Sequence, residues 1–347
     1  MGLVRLPALV DLHVHFREPG FTDKEDIESG VAAAAAGGYG VVCMMPNTLP
    51  AVDSVGVLEK LARRGRVCGA PHGVRVLAAS AMTLDQAGQT LVDFDAMDKA
   101  DTDCLKLTGH GVCGITEDGK TLGDPLLMEQ VCAAAVRLGL PIMDHAEPEV
   151  EIIQRDVALA EKTGTHFHIQ HISLAESVSL IRAAKAAGLP ITCETAPHYF
   201  ALTEADAAPS AKGTNAKMNP PLRKEHDRQA ILEGLSDGTI DCIATDHAPH
   251  EAAAKAGPFD LAANGVIGLE TAFPVSYTLL VKSGLITLEA LIRLMSTRPA
   301  EIIGLAPGAL GMIEADLETP WIIDAAAFKS KARNTPFAGM EVYGRIV

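Results

Sequence analysis

Residues 9–16 read LVDLHVHF, a short β-rich run that ends in two histidines. Residues two apart on a strand point to the same side, so His13 and His15 can face one cavity together at the strand's C-terminal end. The layout recurs along the chain, at 40–47 (GVVCMMPN), 74–80 (VRVLAAS), 104–108 (CLKLT), 141–147 (PIMDHAE), 166–173 (HFHIQHIS), 191–197 (ITCETAP) and 241–249 (DCIATDHAP). Amphipathic segments lie between these runs, and several end in a glycine that suits a helix C-terminus (Gly38, Gly139, Gly164, Gly188). Eight strands, each followed by a helical run, predict a closed parallel (β/α)8 barrel. An open doubly wound sheet is the alternative. It is disfavoured because several strands end in His, Asp, Asn or Lys, where a barrel does its chemistry, and no GxGxxG or Walker A run marks a nucleotide crevice. The barrel with extra C-terminal helices is expected over 1–305. Residues 306–347, with the single tryptophan Trp321, are expected as a tail packed on it.

Composition narrows the function classes. The chain has 347 residues, 44 acidic and 29 basic side chains and a formal charge of −15, with 48% hydrophobic residues. That is the composition of a globular protein, and without a basic run it argues against nucleic acid or an anionic membrane as partner. The seven cysteines, with no CxxC or CxC among them, read as reduced thiols of a cytoplasmic protein. No signal-peptide pattern opens the sequence, and no apolar stretch is long enough to span a bilayer.

Twelve histidines are available for chemistry. An HxH pair alone is equally well two polar residues beside a loop. Here, however, it is joined by His145 at the end of the fifth strand, His171 at the end of the sixth and Asp246 at the end of the eighth. His166 and His168 lie deeper in the sixth strand and read as structural. Imidazoles with a carboxylate suit a borderline cation such as Zn2+, and two such ions could share this set.

The motifs DLHVHFREPG (11–20), MPNT (45–48), MNPPLR (218–223), ATDHAPH (244–250), GLETAFP (268–274) and NTPF (334–337) resemble those of the cyclic amidohydrolases, and among them the dihydroorotases. The opening LVRLPALVDLHVHFREPG is similar to the start of the dihydroorotase portion of the animal multifunctional pyrimidine-synthesis polypeptide. The resemblance implies two Zn2+ ions, with His13, His15 and Asp246 on the first and His145 and His171 on the second. It also implies that Asp246 shuttles protons, that Arg17, Asn47 and His250 hold a substrate carboxylate, and that Asn219 contacts a pyrimidine ring. The reaction so implied is reversible closure of N-carbamoyl-L-aspartate to L-dihydroorotate through a zinc-bridging hydroxide. A homodimer is implied as well, and a carbamoyltransferase partner is left open. A hydantoinase or allantoinase would share the metal set without needing Arg17. A non-catalytic scaffold would be expected to lose the ligands that this chain keeps.

Many relatives carry a small β-domain built from both chain ends. With ten residues before DLHVH, that domain is expected to be absent or residual. The bridge between the metals has two candidates. Lys106, read at the end of a fourth strand, matches the place where many cyclic amidohydrolases carry a CO2-derived carbamate, and it is favoured because a strand end is more rigid than a loop. Asp118, in TEDG, resembles the TDDG of dihydroorotases that bridge with an aspartate.

Overall fold

In the computed structural model, which describes residues 3–208, 210–306 and 308–347, β1 (Val4–Pro7) precedes a parallel ring of strands. The ring runs through β2 (Leu9–Val14), β3 (Tyr39–Met44), β4 (Arg75–Ala78) with its continuation β5 (Ser80–Ala81), and β6 (Ile115–Thr116). It goes on through β7 (Ile142–Asp144), β8 (Phe167–Ile169), β9 (Ile191–Thr195) and β10 (Cys242–Ile243). The ladders β2–β3–β4 and β5–β6–β7–β8–β9–β10 are joined across Ala79, the one residue between β4 and β5. The ring closes where Val14 bridges His247 and the His15 amide donates to the His247 carbonyl at 2.9 Å. The fold is therefore the expected (β/α)8 barrel.

One strand is not where the sequence places it. Residues 104–108 form a helix, Asp103–Thr108, and the fourth barrel strand is β6. The helix is specified locally. Thr102 caps it by accepting from the Leu105 amide at 3.0 Å, Asp103 sits in its first turn, and Gly109 ends it at φ 88°. CLKLT is too short for periodicity to separate the two states, so the caps decide.

Alternate residues of the strands fill the barrel. Val10, Leu12, Val41, Cys43, Leu77 and Met143 belong to the inner cluster, while Val42, Met44 and Val76 pack towards the helices. The β2–β3 register shifts between Asp11 and Val14, an irregularity that lets His13 and His15 follow Leu12 inward while Val14 packs outward. The chain ends meet outside the barrel, where β1 pairs antiparallel with β11 (Met312–Asp316). After the hairpin of β12 (Trp321–Ile322) and β13 (Glu341–Val342), β14 (Arg345–Ile346) adds to β11. This small sheet combines strands from both chain ends. Among the described residues no helix is long and apolar enough to cross a membrane.

The helix Ile27–Ala36 shows how packing reaches the barrel mouth. Asp26 and Ser29 form a capping box, and the helix lays Gly30 on the ring of buried Phe16, between His15 and Arg17. A Cβ at Gly30 would lie 2.4 Å from Phe16 Cδ1. Alanine is better than glycine inside a helix by about 1 kcal/mol. Forcing a side chain into a filled core costs about 1–3 kcal/mol, so the clash should win. Gly30→Ala is expected to lower the denaturation midpoint, and a variant as stable as the parent would show that Phe16 has room to move.

Candidate metal centre

The C-terminal ends of the strands bring His13 and His15 (β2), His145 (after β7), His171 (after β8) and Asp246 (after β10) into one buried cluster, with relative exposures of 0–7%. Asp118, two residues past β6, joins them at 2% exposure. His13 Nε2 lies 3.2 Å from Asp118 Oδ1 and 3.5 Å from Asp246 Oδ1, and His15 Nε2 lies 3.1 Å from Asp246 Oδ1 and 3.6 Å from Asp118 Oδ2. On the other side His145 Nδ1 and His171 Nε2 face each other at 2.8 Å, 3.4 and 3.8 Å from Asp118 Oδ1. Donors about 2.0–2.2 Å from a tetrahedral ion stand roughly 3.3 Å apart, close to most of these spacings. Two overlapping groups, His13–His15–Asp246 and His13–Asp118–His171, meet the geometric requirement for holding a cation.

Two orphaned atoms make the same point independently. His13 Nε2 and Asp118 Oδ1 face each other at 3.2 Å in the middle of the cluster, and among the described residues neither atom has a well-formed hydrogen bond. Such a pair is costly unless something charged satisfies both, and a divalent cation does so. The residues present therefore fit a metal pair with Asp118 shared between its halves.

Neighbouring polar groups aim the ligands. His13 Nδ1 is 2.8 Å from Glu194 Oε1, and the other oxygen of Glu194 is 3.1 Å from His168 Nε2. His15 Nδ1 is 3.0 Å from Asn47 Oδ1, and Asn47 Nδ2 donates to Asp118 Oδ2 at 3.3 Å. A partner on one ring nitrogen fixes the tautomer that leaves the other free to ligate. Asn47 thus touches two ligands as well as lining the cavity. Glu194 escaped the sequence reading, and its one signal was a carboxylate in the middle of ITCETAP.

Burial alone would raise the carboxyl groups, but the imidazoles outweigh it. His13 holds Asp118 well below the usual carboxylate range, and His13, His15 and His171 hold Asp246 below it too. Both acids are ionised at neutral pH. Three ligating or lining residues, Arg17, His171 and Asp246, have positive φ values of 60°, 34° and 47°. Each such residue costs about 1–3 kcal/mol, and such outliers concentrate at functional sites.

A cavity of about 230 Å3 opens over the cluster, with Arg17, Asn47, Asn219 and His250 in its walls. Burial lowers the Arg17 guanidinium to about 10, so it stays charged, and its Nε has no partner. Burial and then the Arg17 charge lower His250 to about 3, so its ring is neutral, and its Nδ1 is also unpartnered. Asn219 Nδ2 donates to Glu147 at 3.0 Å, and Glu147 is 3.3 Å from His145 Nε2. Met218 and Asn264, which the sequence reading did not single out, complete part of the wall.

Lys106 is not part of this cluster. Its side chain is 56% exposed on the helix Asp103–Thr108, 3.4 Å from Asp101 and 3.9 Å from Asp103. The expectation of a carbamate there rested on a strand end, and once that segment is a helix its lysine points to solvent among acids. Asp118 is the candidate that lies within the cluster, between its two pairs of histidines. His166 and His168 share Thr192 Oγ1, both at 2.9 Å, below the ligands.

Comparison with known proteins places this architecture. Residues 4–316 match the amidohydrolase family. A curated dihydroorotase of Desulforapulum autotrophicum is 42% identical over 378 residues, covering 100% of this chain and 85% of the relative. One from Staphylococcus epidermidis is 43% identical over 376 residues, covering 99% and 85%. Among solved structures, the L-hydantoinase (dihydropyrimidinase) of Arthrobacter aurescens superposes with a TM-score of 0.86 at 23% identity, over 100% of this chain and 83% of that one. The dihydropyrimidinase of Brevibacillus agri gives 0.82 at 19% identity, with the same coverage.

Removing each candidate bridge separates their roles. Asp118→Ala should lose most of its bound metal while remaining folded, and Lys106→Ala should keep the metal content of the parent, both read by elemental analysis. The opposite pattern would return the bridge to Lys106.

Proposed function

The chain belongs to the amidohydrolase family, and from that premise we propose that it acts as a dihydroorotase, interconverting N-carbamoyl-L-aspartate and L-dihydroorotate in pyrimidine synthesis. Its likeness to curated dihydroorotases along nearly its whole length supports the reading. The observation that carries it is the half-buried Arg17 in the wall above the cluster, whose Nε is buried and has no partner among the described residues. A guanidinium presents a planar fork matched to a carboxylate. A hydantoin or dihydropyrimidine ring without a carboxylate would leave that buried Nε donor without an acceptor, which is costly. The cavity's 230 Å3 also suits a single small ring, below the roughly 300–1,000 Å3 of pockets for larger ligands.

Two zinc ions held by His13, His15, Asp246, His145 and His171 across Asp118 would polarise the ring carbonyl and acidify the attacking water. The chain's own groups do the rest. Arg17 grips the substrate carboxylate, and neutral His250 offers either a donor or an acceptor at Nδ1. Asn47 keeps His15 and Asp118 in register, and Asn219 meets the ring from the opposite wall. In hydrolysis Asp246, ionised as substrate arrives, accepts the proton of the water that attacks the carbonyl carbon. It then hands that proton to the ring nitrogen as the carbon–nitrogen bond breaks. In closure the side-chain carboxyl group reacts in its protonated form. The carbamoyl nitrogen attacks its carbon and gives a proton to Asp246, which passes that proton to the departing hydroxyl, so that one water leaves and one proton is taken up from solvent per carboxylate closed.

The direct test is zinc analysis of the purified protein together with dihydroorotate hydrolysis. Metal near two equivalents with turnover of dihydroorotate supports the reading, and turnover of hydantoin alone would overturn it. Asp246→Asn should cut the rate in both directions by a factor of about 10² to 10⁴, whereas a variant above half the parental rate would remove Asp246 as proton carrier. Arg17→Lys should raise KM for dihydroorotate without loss of zinc, because lysine keeps the charge but not the fork. Loss of zinc in step with activity would mean that Arg17 supports the metals instead.

A further inference from the structure

Residues 250–265, after the eighth strand, run from His250 to Asn264 in the cavity wall and contain only short helical turns. A segment with so little structure of its own needs other anchors to keep one shape, and two lysines supply them. Lys255 is 5% exposed, and its ammonium donates to the carbonyls of Ala263 and Gly265, both at 2.9 Å, and of Lys217 at 3.3 Å. These three acceptors match its three N–H groups, and among the described residues no carboxylate pairs with it. Lys217 precedes Met218 and Asn219 of the opposite wall, and its own ammonium donates back to the carbonyls of Asp260 at 2.9 Å and Ala262 at 2.7 Å. The Gly265 amide donates to the Lys217 carbonyl at 2.9 Å, completing the reciprocal contact. Asn334 holds the base of the segment, donating to Ala248 and Gly265 carbonyls and accepting from the His250 amide.

We propose that Lys255 and Lys217 are positioning residues, a reciprocal clasp that fixes the 250–265 segment against the Met218–Asn219 wall, so that His250 and Asn264 meet the substrate already oriented. Neither ammonium lines the metal cluster. The clasp therefore acts on substrate affinity, by removing the ordering that binding would otherwise have to impose. It rests on the dihydroorotase reading only for the choice of substrate.

The test uses Lys255→Met and Lys217→Met in the full-length, metal-loaded protein. Methionine keeps the apolar stem and leaves the carbonyls without their donor. Each variant is expected to raise KM for dihydroorotate about tenfold while kcat stays within about threefold and zinc content is unchanged, since preorganisation is lost but the reacting groups are not. Hydrogen exchange in residues 250–265 should quicken in both. Parental KM in a folded variant, or kcat and zinc falling together, would overturn the clasp. Should Lys255→Met fail to fold, the less buried Lys217→Met decides alone. Failure of the parent protein to hydrolyse dihydroorotate would sink the functional reading instead, leaving the clasp to be judged by exchange: faster exchange in the variants supports it, and unchanged exchange refutes it.

Discussion

The rest of this structure is organised around one buried carboxylate. Asp118 sits within 4 Å of ring nitrogens from His13, His15, His145 and His171, and Asp246 lies 3.5 and 3.1 Å from the first two. Taking two carboxylates out of water costs several kcal/mol per charge, and neutral imidazoles repay only part of that. Positive charge must enter the cluster, either as protons on the histidines or as cations. The raised affinity of His13 for a proton, driven by Asp118 and Asp246 against its burial, measures the same demand. Divalent ions meet it without occupying the nitrogen lone pairs with protons, so the demand for charge and the demand for Lewis acidity have one answer.

A cluster so charged needs a stiff frame, and the barrel provides it below the ligands. Glu194 on β9 spans His13 on β2 and His168 on β8, and His168 in turn meets Thr192, also on β9. Asp11 accepts from the amides of both His13 and Thr245, tying the start of the site to its end across the closure of the ring. These contacts help hold backbone that is otherwise unfavourable: at Arg17, His171 and Asp246 the chain turns through positive φ to swing side chains over the mouth. All three residues lie two or three positions past a barrel strand, close to backbone that the ladder holds.

Much of this was legible in the sequence because its signals are local. HxH on an apolar run, a histidine or aspartate closing later runs, and glycines after helical stretches all report on neighbours within a few residues, and the barrel follows from their order. What misled was also local. CLKLT carries an apolar–polar alternation that a strand would show, but its caps, Thr102 and Gly109, make it a helix. The strand it displaced, Ile115–Thr116, is two residues long and follows a glycine, too little for any periodicity. Asp118 reaches the cluster from just past that hidden strand, which is why Lys106 reads in the sequence as the better placed of the two. Glu194 and the lysine contacts were illegible for another reason: their partners lie far away in the chain, and nothing in a single sequence pairs Glu194 with His13 or Lys255 with Lys217.

The site therefore divides by what holds it. The donors of the candidate metal centre sit at strand ends or within three residues of them, where a shift in strand register would carry them out of the mouth. Arg17, Asn219, His250 and Asn264 sit on loops, and loops tolerate change without cost to the ladder. On the proposed reading, a chain that exchanged only those loop residues would keep the donor cluster and accept a different ring. Substrate choice would then rest on positions where sequence can drift most cheaply, and the anchoring of those loops would bear on it as much as the cluster beneath them.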